Sequence, residues 1–232
     1  MKSLVMILIW CFMIFCPIGL AGTTICRNAR TCESRGLDAM HNKDLAAAQN
    51  FFEDAVGYAE DADNKLESVE AYNNLTLMFI KTHDYENALR WVQTTLSIDP
   101  SNKLATGYSK RITASYLISG VEASGTYVKY AGRNYWNQLK VSEKTPKGYK
   151  FDLTLYRIGP AWRKFGPSQV GEVHGLLVRV GKDEFVYKGD EDFSSCRIHF
   201  RFIQDNVVLS QDDDCGFGYG LQADGTLRRI TK

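Results

Sequence analysis

The amino-acid sequence predicts an α+β protein of two domains, with N-terminal helical hairpins followed by an antiparallel β-barrel of about eight strands. Two apolar runs with helical spacing, residues 72–80 and 85–98, flank a short polar break. After residue 120 the spacing changes to the alternation of strands, and breaker-rich turns separate the alternating runs. Composition shifts at the same place, from Ala, Leu and Asn to Tyr, Phe, Val and Gly. These observations divide the chain into residues 22–116 and 117–232.

The first 21 residues have the pattern of a secretory signal peptide. Lys2 gives the positive start, residues 4–15 give the apolar stretch, and Gly19-Leu20-Ala21 places small residues before the expected cleavage after Ala21. A retained membrane anchor is the alternative, but the apolar run is short for a span of about 20 residues and Pro17 interrupts it. We therefore expect export, with no stable membrane insertion after cleavage.

Four cysteines remain after the signal peptide, and an even number in an oxidising compartment indicates two disulfides. Three pairings are possible. The local pairs Cys26–Cys32 and Cys196–Cys215 are the simplest, because each lies within one expected domain. A four-cysteine zinc site would need a closer ligand spacing than the sequence has.

Residues 22–116 carry 10 Lys and Arg against 13 Asp and Glu, a net charge of −3, and residues 117–232 carry 17 against 14, a net charge of +3. Neither imbalance is large enough to indicate a nucleic-acid partner. The opposite signs would help one domain pack on the other, but two ordinary solvated surfaces are the simpler interpretation. The sequence makes no prediction of the oligomeric state.

The helical half contains two hairpins and a fifth helix. Asp84 and Ala88 in the second hairpin correspond to Asp44 and Ala48 in a diverged copy forty residues earlier. A fifth helix over residues 102–116 would cover the second hairpin, with Ser101 or Asn102 as its N-cap. Six residues of the second hairpin match a known 34-residue repeat signature in kind: Tyr72, Leu75, Phe79, Ala88, Val92 and Pro100.

On those residues the second hairpin resembles a tetratricopeptide repeat, although Thr76 and Thr95 stand where glycine and alanine are usual. The resemblance implies a concave face that binds a peptide or protein, and we place Asn73, Asn74 and Met78 there. The alternative is a helical domain that only docks onto the second domain.

Eight alternating runs predict the strands of an up-and-down barrel or tightly curved sheet. They cover residues 125–130, 135–143, 149–158, 170–180, 184–188, 196–203, 207–211 and 226–230. In the sixth run Ile198, Phe200 and Phe202 should face inwards.

The ending Cys215-Gly216-Phe217-Gly218, followed by Ala223-Asp224-Gly225, is similar to the end of small exported bacterial β-domains. Those domains look similar to the barrels of periplasmic lysozyme inhibitors, and the resemblance covers residues 120–232. Inhibitors of this kind carry a Ser-Gly-x-x-Tyr loop, whereas this chain has Ser124-Gly125-Thr126-Tyr127, one residue shorter. We expect the glycines to allow positive backbone φ angles beside a disulfide.

No catalytic motif stands out, and we expect neither an enzyme nor a cofactor. The sequence has no G-x-S-x-G, no phosphate-binding loop and no H-E-x-x-H, and its histidines lack ligand spacing. Asp212-Asp213-Asp214 could attract Ca²⁺, but the alternating oxygen ligands of a calcium loop are missing, so we predict a solvated turn without metal.

The favoured hypothesis is a non-enzymatic binding protein of the bacterial periplasm. Its partner would be another envelope protein, either a cell-wall hydrolase or a toxin against which it gives immunity. The expected contacts on the barrel are Trp162, Arg163, Lys164 and Lys147, since loops on a rigid barrel commonly carry recognition.

Two alternatives remain open. One is a tetratricopeptide scaffold that organises an envelope complex through its helical face. The other is a glycan- or peptidoglycan-binding module that uses exposed aromatic rings as stacking platforms. The candidate platforms are Tyr130, Tyr135, Trp136 and Trp162.

Overall fold

A computed structural model describes residues 25–115 and 123–231. It confirms the α+β class, with helices followed by a closed barrel. The helices are α1 (Ala29–His41), α2 (Leu45–Asp61), α3 (Lys65–Lys81), α4 (Tyr85–Ile98) and α5 (Lys103–Ser115). The strands are β1 (Gly125–Gly132), β2 (Tyr135–Thr145), β3 (Gly148–Arg157), β4 (Gln169–Arg179), β5 (Glu184–Lys188), β6 (Arg197–Ile203), β7 (Asn206–Asp212) and β8 (Gly225–Thr231), with a short helix α6 (Trp162–Phe165) before β4.

Two sequence predictions lie outside the described residues. The expected signal peptide, residues 1–21, precedes them, and the expected domain boundary at residues 116–117 falls in the gap between the two described ranges. None of the helices in the described ranges is both long and apolar enough to cross a bilayer.

Three helix N-caps recur at a fixed spacing of twenty residues. The side chains of Asp44, Asn64 and Asp84 each accept a hydrogen bond from a backbone N–H in the first turn of α2, α3 and α4. The residue before each cap has a positive φ, so the three turns share one conformation. Consecutive helices pack against one another, while α1 and α5 also contact α3. The result is two layers, with α1, α3 and α5 in one and α2 and α4 in the other.

Small residues allow close approach inside the first hairpin. A Cβ atom at Gly36 of α1 would overlap the Phe52 ring of α2, and both residues are buried. Ala88 of α4 is likewise fully buried. Thr76 is accommodated because its hydroxyl donates to the carbonyl of Tyr72, 2.9 Å away on its own helix.

The eight strands form an up-and-down barrel, as predicted, in which each strand pairs with the next and β8 closes onto β1. Ile198 and Phe200 point into the barrel and are buried, whereas Phe202 is half-buried against the Phe185 ring. Tyr127 is fully buried and its hydroxyl accepts a hydrogen bond from the buried Arg229. In the Ser-Gly-Thr-Tyr segment Ser124 therefore precedes β1, the other three residues begin the strand, and the tyrosine lies in the core.

Both expected disulfides are present, one in each region, with Cα–Cα distances of 5.1 Å for Cys26–Cys32 and 4.9 Å for Cys196–Cys215. Two disulfides are typical of an oxidising, exported setting. Beside Cys215 the φ angles of Gly216 and Gly218 are +74° and +88°, values that side-chain-bearing residues rarely adopt.

Helices and barrel share one buried cluster. Val128 of β1 and Ile230 of β8 belong to the helical core and are 3% and 0% exposed. Four aromatic rings continue this contact, with neighbouring centroids 4.8–5.7 Å apart: Tyr72, Trp91, Tyr130 and Trp136. The barrel packs against α4 and the end of α2, so its described residues leave the layer of α1, α3 and α5 uncovered.

The first prediction tests the helical packing. Gly36→Ala should lower the free energy of unfolding by roughly 1–3 kcal/mol, because the added methyl group meets the Phe52 ring. The matched control is Gly107→Ala in α5, where nothing lies within 4 Å of the new Cβ. That change should raise the free energy of unfolding by roughly 0.5–1 kcal/mol. Chemical denaturation measures both, and equal effects at the two sites would contradict the packing.

Candidate functional site

The layer formed by α1, α3 and α5 is left uncovered by the described part of the barrel, which packs on the other layer. Each of the three helices presents an exposed leucine: Leu37, Leu66 and Leu104, which are 47%, 70% and 59% exposed. We call this surface the open face. Single exposed apolar residues are common on protein surfaces, and contiguous apolar patches are the ones typical of interaction surfaces.

Two buried acceptor atoms on the open face have no hydrogen-bond partner among the described residues. They are Oε1 of Glu33 on α1 and Oδ1 of Asn73 on α3, and their residues are only 9% and 8% exposed. The other end of the Asn73 amide donates to Oδ1 of Asn102, 3.5 Å away before α5. Buried acceptors without a partner are costly, so each would gain from a donor, but both oxygens are closed off from solvent and a side chain must move before an outside donor can reach them.

The surroundings of Glu33 are acidic. Burial, followed by the charges of Glu70 and Glu67, raises the pKa of Glu33 to about 7, while Arg30 acts in the opposite direction. Arg30 also lies 3.5 Å from a carboxylate oxygen of Glu67. Ammonium, guanidinium and amide groups could all donate to this site, and a cation would also relieve the repulsion among the carboxylates.

Of the residues that we expected on the helical binding face, Asn73 and the half-buried Asn74 lie on the open face. Met78 lies five residues after Asn73, about 140° further round the helix. It is 1% exposed and belongs to the helical core, so its side chain offers no surface to a partner in this structure.

The expected barrel contacts do not form one surface. Lys147 lies in the exposed turn before β3 and Trp162 in α6 after it. The ten residues of β3 separate these two ends of the barrel by roughly 30 Å. Trp162 is half-buried, with the Arg133 guanidinium 5.2 Å from its ring centre. Arg163 and Lys164 also belong to α6, but their side chains lie outside the described part of the chain.

The expected glycan platforms are engaged in ring contacts. Tyr130 and Trp136 pack with Trp91 in the cluster between helices and barrel, at centroid distances of 5.6 and 4.8 Å. Tyr135 packs against Tyr156 at 5.2 Å. Tyr130 and Trp136 still line one concavity, between α4 and the barrel, whereas Tyr135 packs apart from them.

Within the described ranges, two carboxylates of the acidic run at the end of β7 contact protein groups. Asp212 lies 2.8 Å from Nε2 of His199, and Asp214 accepts a 2.9 Å hydrogen bond from the N–H of Gly216. In the helical region, Cys26, Cys32 and Asp54 bring three potential metal-ligating atoms close together. The two sulfur atoms, however, are joined in a disulfide.

Sequence reasoning missed Glu33, although one signal could have found it. Glu33 precedes Asn73 by forty residues, as Asp44 precedes Asp84. Aligning the two hairpins therefore places Glu33 and Asn73 at corresponding positions. Neither residue belongs to a recognisable motif.

The second prediction concerns the burial of Glu33. Its pKa is higher in the folded chain, about 7, than the ordinary 4.5, so folding takes up a proton between these values and stability falls as pH rises through them. Glu33→Gln should therefore stabilise the protein at a pH near 8 by about 1 kcal/mol or more, and this gain should shrink below a pH of about 4.5.

Denaturation at several pH values measures the difference between variant and parent. The same change at the exposed Glu191 is the control and should give no such gain. A Glu33→Gln difference that is constant with pH would show that Glu33 is not held in a desolvated site.

Comparisons with known proteins give no family for this arrangement. Searches of protein-family models, curated proteins and solved structures found no significant match to the chain.

Proposed function

We propose that the protein is a non-enzymatic, exported binding protein of the bacterial envelope, which acts in the periplasm and holds a segment of another protein on the open face. The observation that carries this proposal is the pair of buried acceptors without described partners, Glu33 Oε1 and Asn73 Oδ1, in a helical layer that the described part of the barrel leaves uncovered. A bound segment would supply the missing donors.

The contact energetics favour a protein segment as the occupant. The exposed leucines Leu37, Leu66 and Leu104 belong to the same helical layer as the acceptors and would bury apolar surface on binding. A hydrogen bond to a desolvated acceptor contributes more binding free energy than a contact at the solvated rim of an interface. The acidic neighbourhood of Glu33 favours a segment that presents a basic or amide donor.

The partner class is a cell-wall hydrolase or a toxin delivered to the periplasm. Export is supported by the two disulfides, and the lysozyme-inhibitor resemblance of the barrel sequence favours a hydrolase target. The barrel would then act as the rigid support that fixes the helical layers through their shared core.

The third prediction uses photo-crosslinking in the envelope of the source cell. A photoreactive residue in place of Leu66 or Leu104 should form an adduct with one envelope protein, because both side chains stand on the open face. The matched control replaces Ile203, an exposed apolar residue at the end of β6. Mass spectrometry identifies the adduct.

Asn73→Leu should weaken binding of the captured protein by roughly tenfold or more, because it removes a desolvated acceptor. Assaying that protein for wall-hydrolase or toxin activity, with and without the mature chain, then distinguishes inhibition from scaffolding. Adducts at Ile203 alone, or full affinity in Asn73→Leu, would overturn the proposed site.

A further inference from the structure

A second concavity lies on the other side of the helical region, between α4 and the outer face of the barrel. This cleft has a volume of about 480 Å³, within the range of small-molecule sites. The residues of α4 that line it include four at spacings of three and four, which share one stripe of the helix: Arg90, Gln93, Thr94 and Ser97. The barrel forms the opposite wall, so the cleft exists only because the two regions are docked.

The strand register shows which barrel side chains face α4. Val128 pairs with Arg228, and Arg228 pairs with Asn206, so these three side chains lie on the same face of β1, β8 and β7. Val128 is buried in the helical core, which identifies this face as the one turned towards the helices. Lys129 follows Val128 in β1, so its side chain lies on the opposite face, beside Gly225.

Two aromatic rings give the cleft an apolar surface. Tyr130 and Trp136 pair directly across β1 and β2, and their ring centroids lie 5.1 Å apart. The indole N–H of Trp136 points towards α4, where it donates to the hydroxyl of Thr94 at 3.4 Å. Both rings line the cleft and are only half-buried, so part of their surface remains accessible to a ligand.

The polar groups beside these rings are mostly uncharged amides and hydroxyls. Thr226, two residues before Arg228 in β8, lies on the same face of the barrel, and Asn206 is its neighbour in the lining. The side chains of Asn206 and Thr226 bond to no described residue. Gln93 accepts a hydrogen bond from Arg228 at 3.1 Å, which leaves the amide nitrogen of Gln93 as a donor. Donors and acceptors are thus both present, as adjacent sugar hydroxyls require, because each hydroxyl can donate and accept.

We propose that this cleft binds a short saccharide. The two aromatic rings would contact the apolar face of a sugar ring, while Gln93, Asn206 and Thr226 would bond to its hydroxyl groups. A purely apolar ligand would desolvate these polar groups without pairing them, and an inorganic anion would gain nothing from the aromatic rings. None of the described residues that line the cleft is acidic.

The cleft and the open face lie on different layers of the helices, so this site is independent of the proposed protein partner. Because the saccharide would contact α4 and the barrel together, its binding should also stabilise the docked arrangement by mass action.

The fourth prediction is tested with two disaccharides, cellobiose and diacetylchitobiose, on the mature full-length protein by isothermal titration calorimetry. At least one of them should bind saturably. Binding of diacetylchitobiose alone indicates an N-acetylated sugar, and binding of cellobiose alone indicates a sugar without acetamido groups. Sorbitol is the ligand control, because it carries hydroxyl groups but no ring to place against Tyr130 and Trp136, and it should not bind.

Asn206→Ala combined with Thr226→Val should weaken disaccharide binding by about tenfold, because two hydrogen bonds are lost. Neither removed group bonds to a described residue, so the double variant should fold, and circular dichroism checks this. The matched control is Lys129→Gln, which changes a side chain on the other face of β1 and should keep the parent affinity.

As a second readout, the indole N–H signal of Trp136 should shift on titration of the parent protein, whereas the signal of Trp162, which does not line the cleft, should not. The proposal is overturned if neither disaccharide binds saturably at millimolar concentration, or if sorbitol binds as well as they do. Unchanged affinity in the folded double variant also overturns it.

Discussion

The arrangement of the whole molecule depends on Glu60, near the end of α2. Its carboxylate accepts hydrogen bonds from the hydroxyls of Tyr72 and Tyr130, at 2.8 and 2.6 Å, and from the backbone N–H of Arg133 at 3.0 Å. Burial, followed by the charge of Glu60, raises the pKa values of both tyrosines, so they remain neutral donors. One carboxylate thus joins a helix of each hairpin to the β1–β2 turn of the barrel.

Arg133 completes this connection from the barrel side. Its guanidinium donates to the carbonyl of Gly57 at 2.6 Å and lies 2.6 Å from a carboxylate oxygen of Asp61. Arg133 and Asn134 have φ angles of +54° and +63°, as in the two-residue turns that favour hairpins. The turn that closes the hairpin therefore also presents Arg133 to the end of α2. Because the barrel is fixed to α2 and α4, its described residues leave the open face uncovered.

The sequence predicted the helices and strands well because the patterns that indicate them lie within short stretches of the chain. Alternation and breaker-rich turns gave the eight strands, and helical spacing gave the two hairpins. The docking of the two regions escaped prediction because it depends on pairs far apart in the chain, such as Glu60 with Tyr130. For the same reason Tyr130 and Trp136 were expected on an open surface, although they pack against Trp91.

The prediction of binding residues was limited in the same way. The tetratricopeptide resemblance placed Asn73 on a binding face, but its unpartnered acceptor and the corresponding position of Glu33 emerge only from the packing of α1 beside α3. Lys147 and Trp162 are both loop residues, yet they lie at opposite ends of β3. Local pattern shows that a residue is in a loop, whereas the strand connections decide which loops come together.

The measurement that tests this account most directly is a double-mutant cycle between Glu60→Gln and Tyr130→Phe, followed by denaturant unfolding. The two side chains come from different regions and meet at 2.6 Å, so we predict a coupling free energy of about 1 kcal/mol or more. Additive losses, with coupling within about 0.3 kcal/mol of zero, would contradict the central role of Glu60 in joining the helices to the barrel.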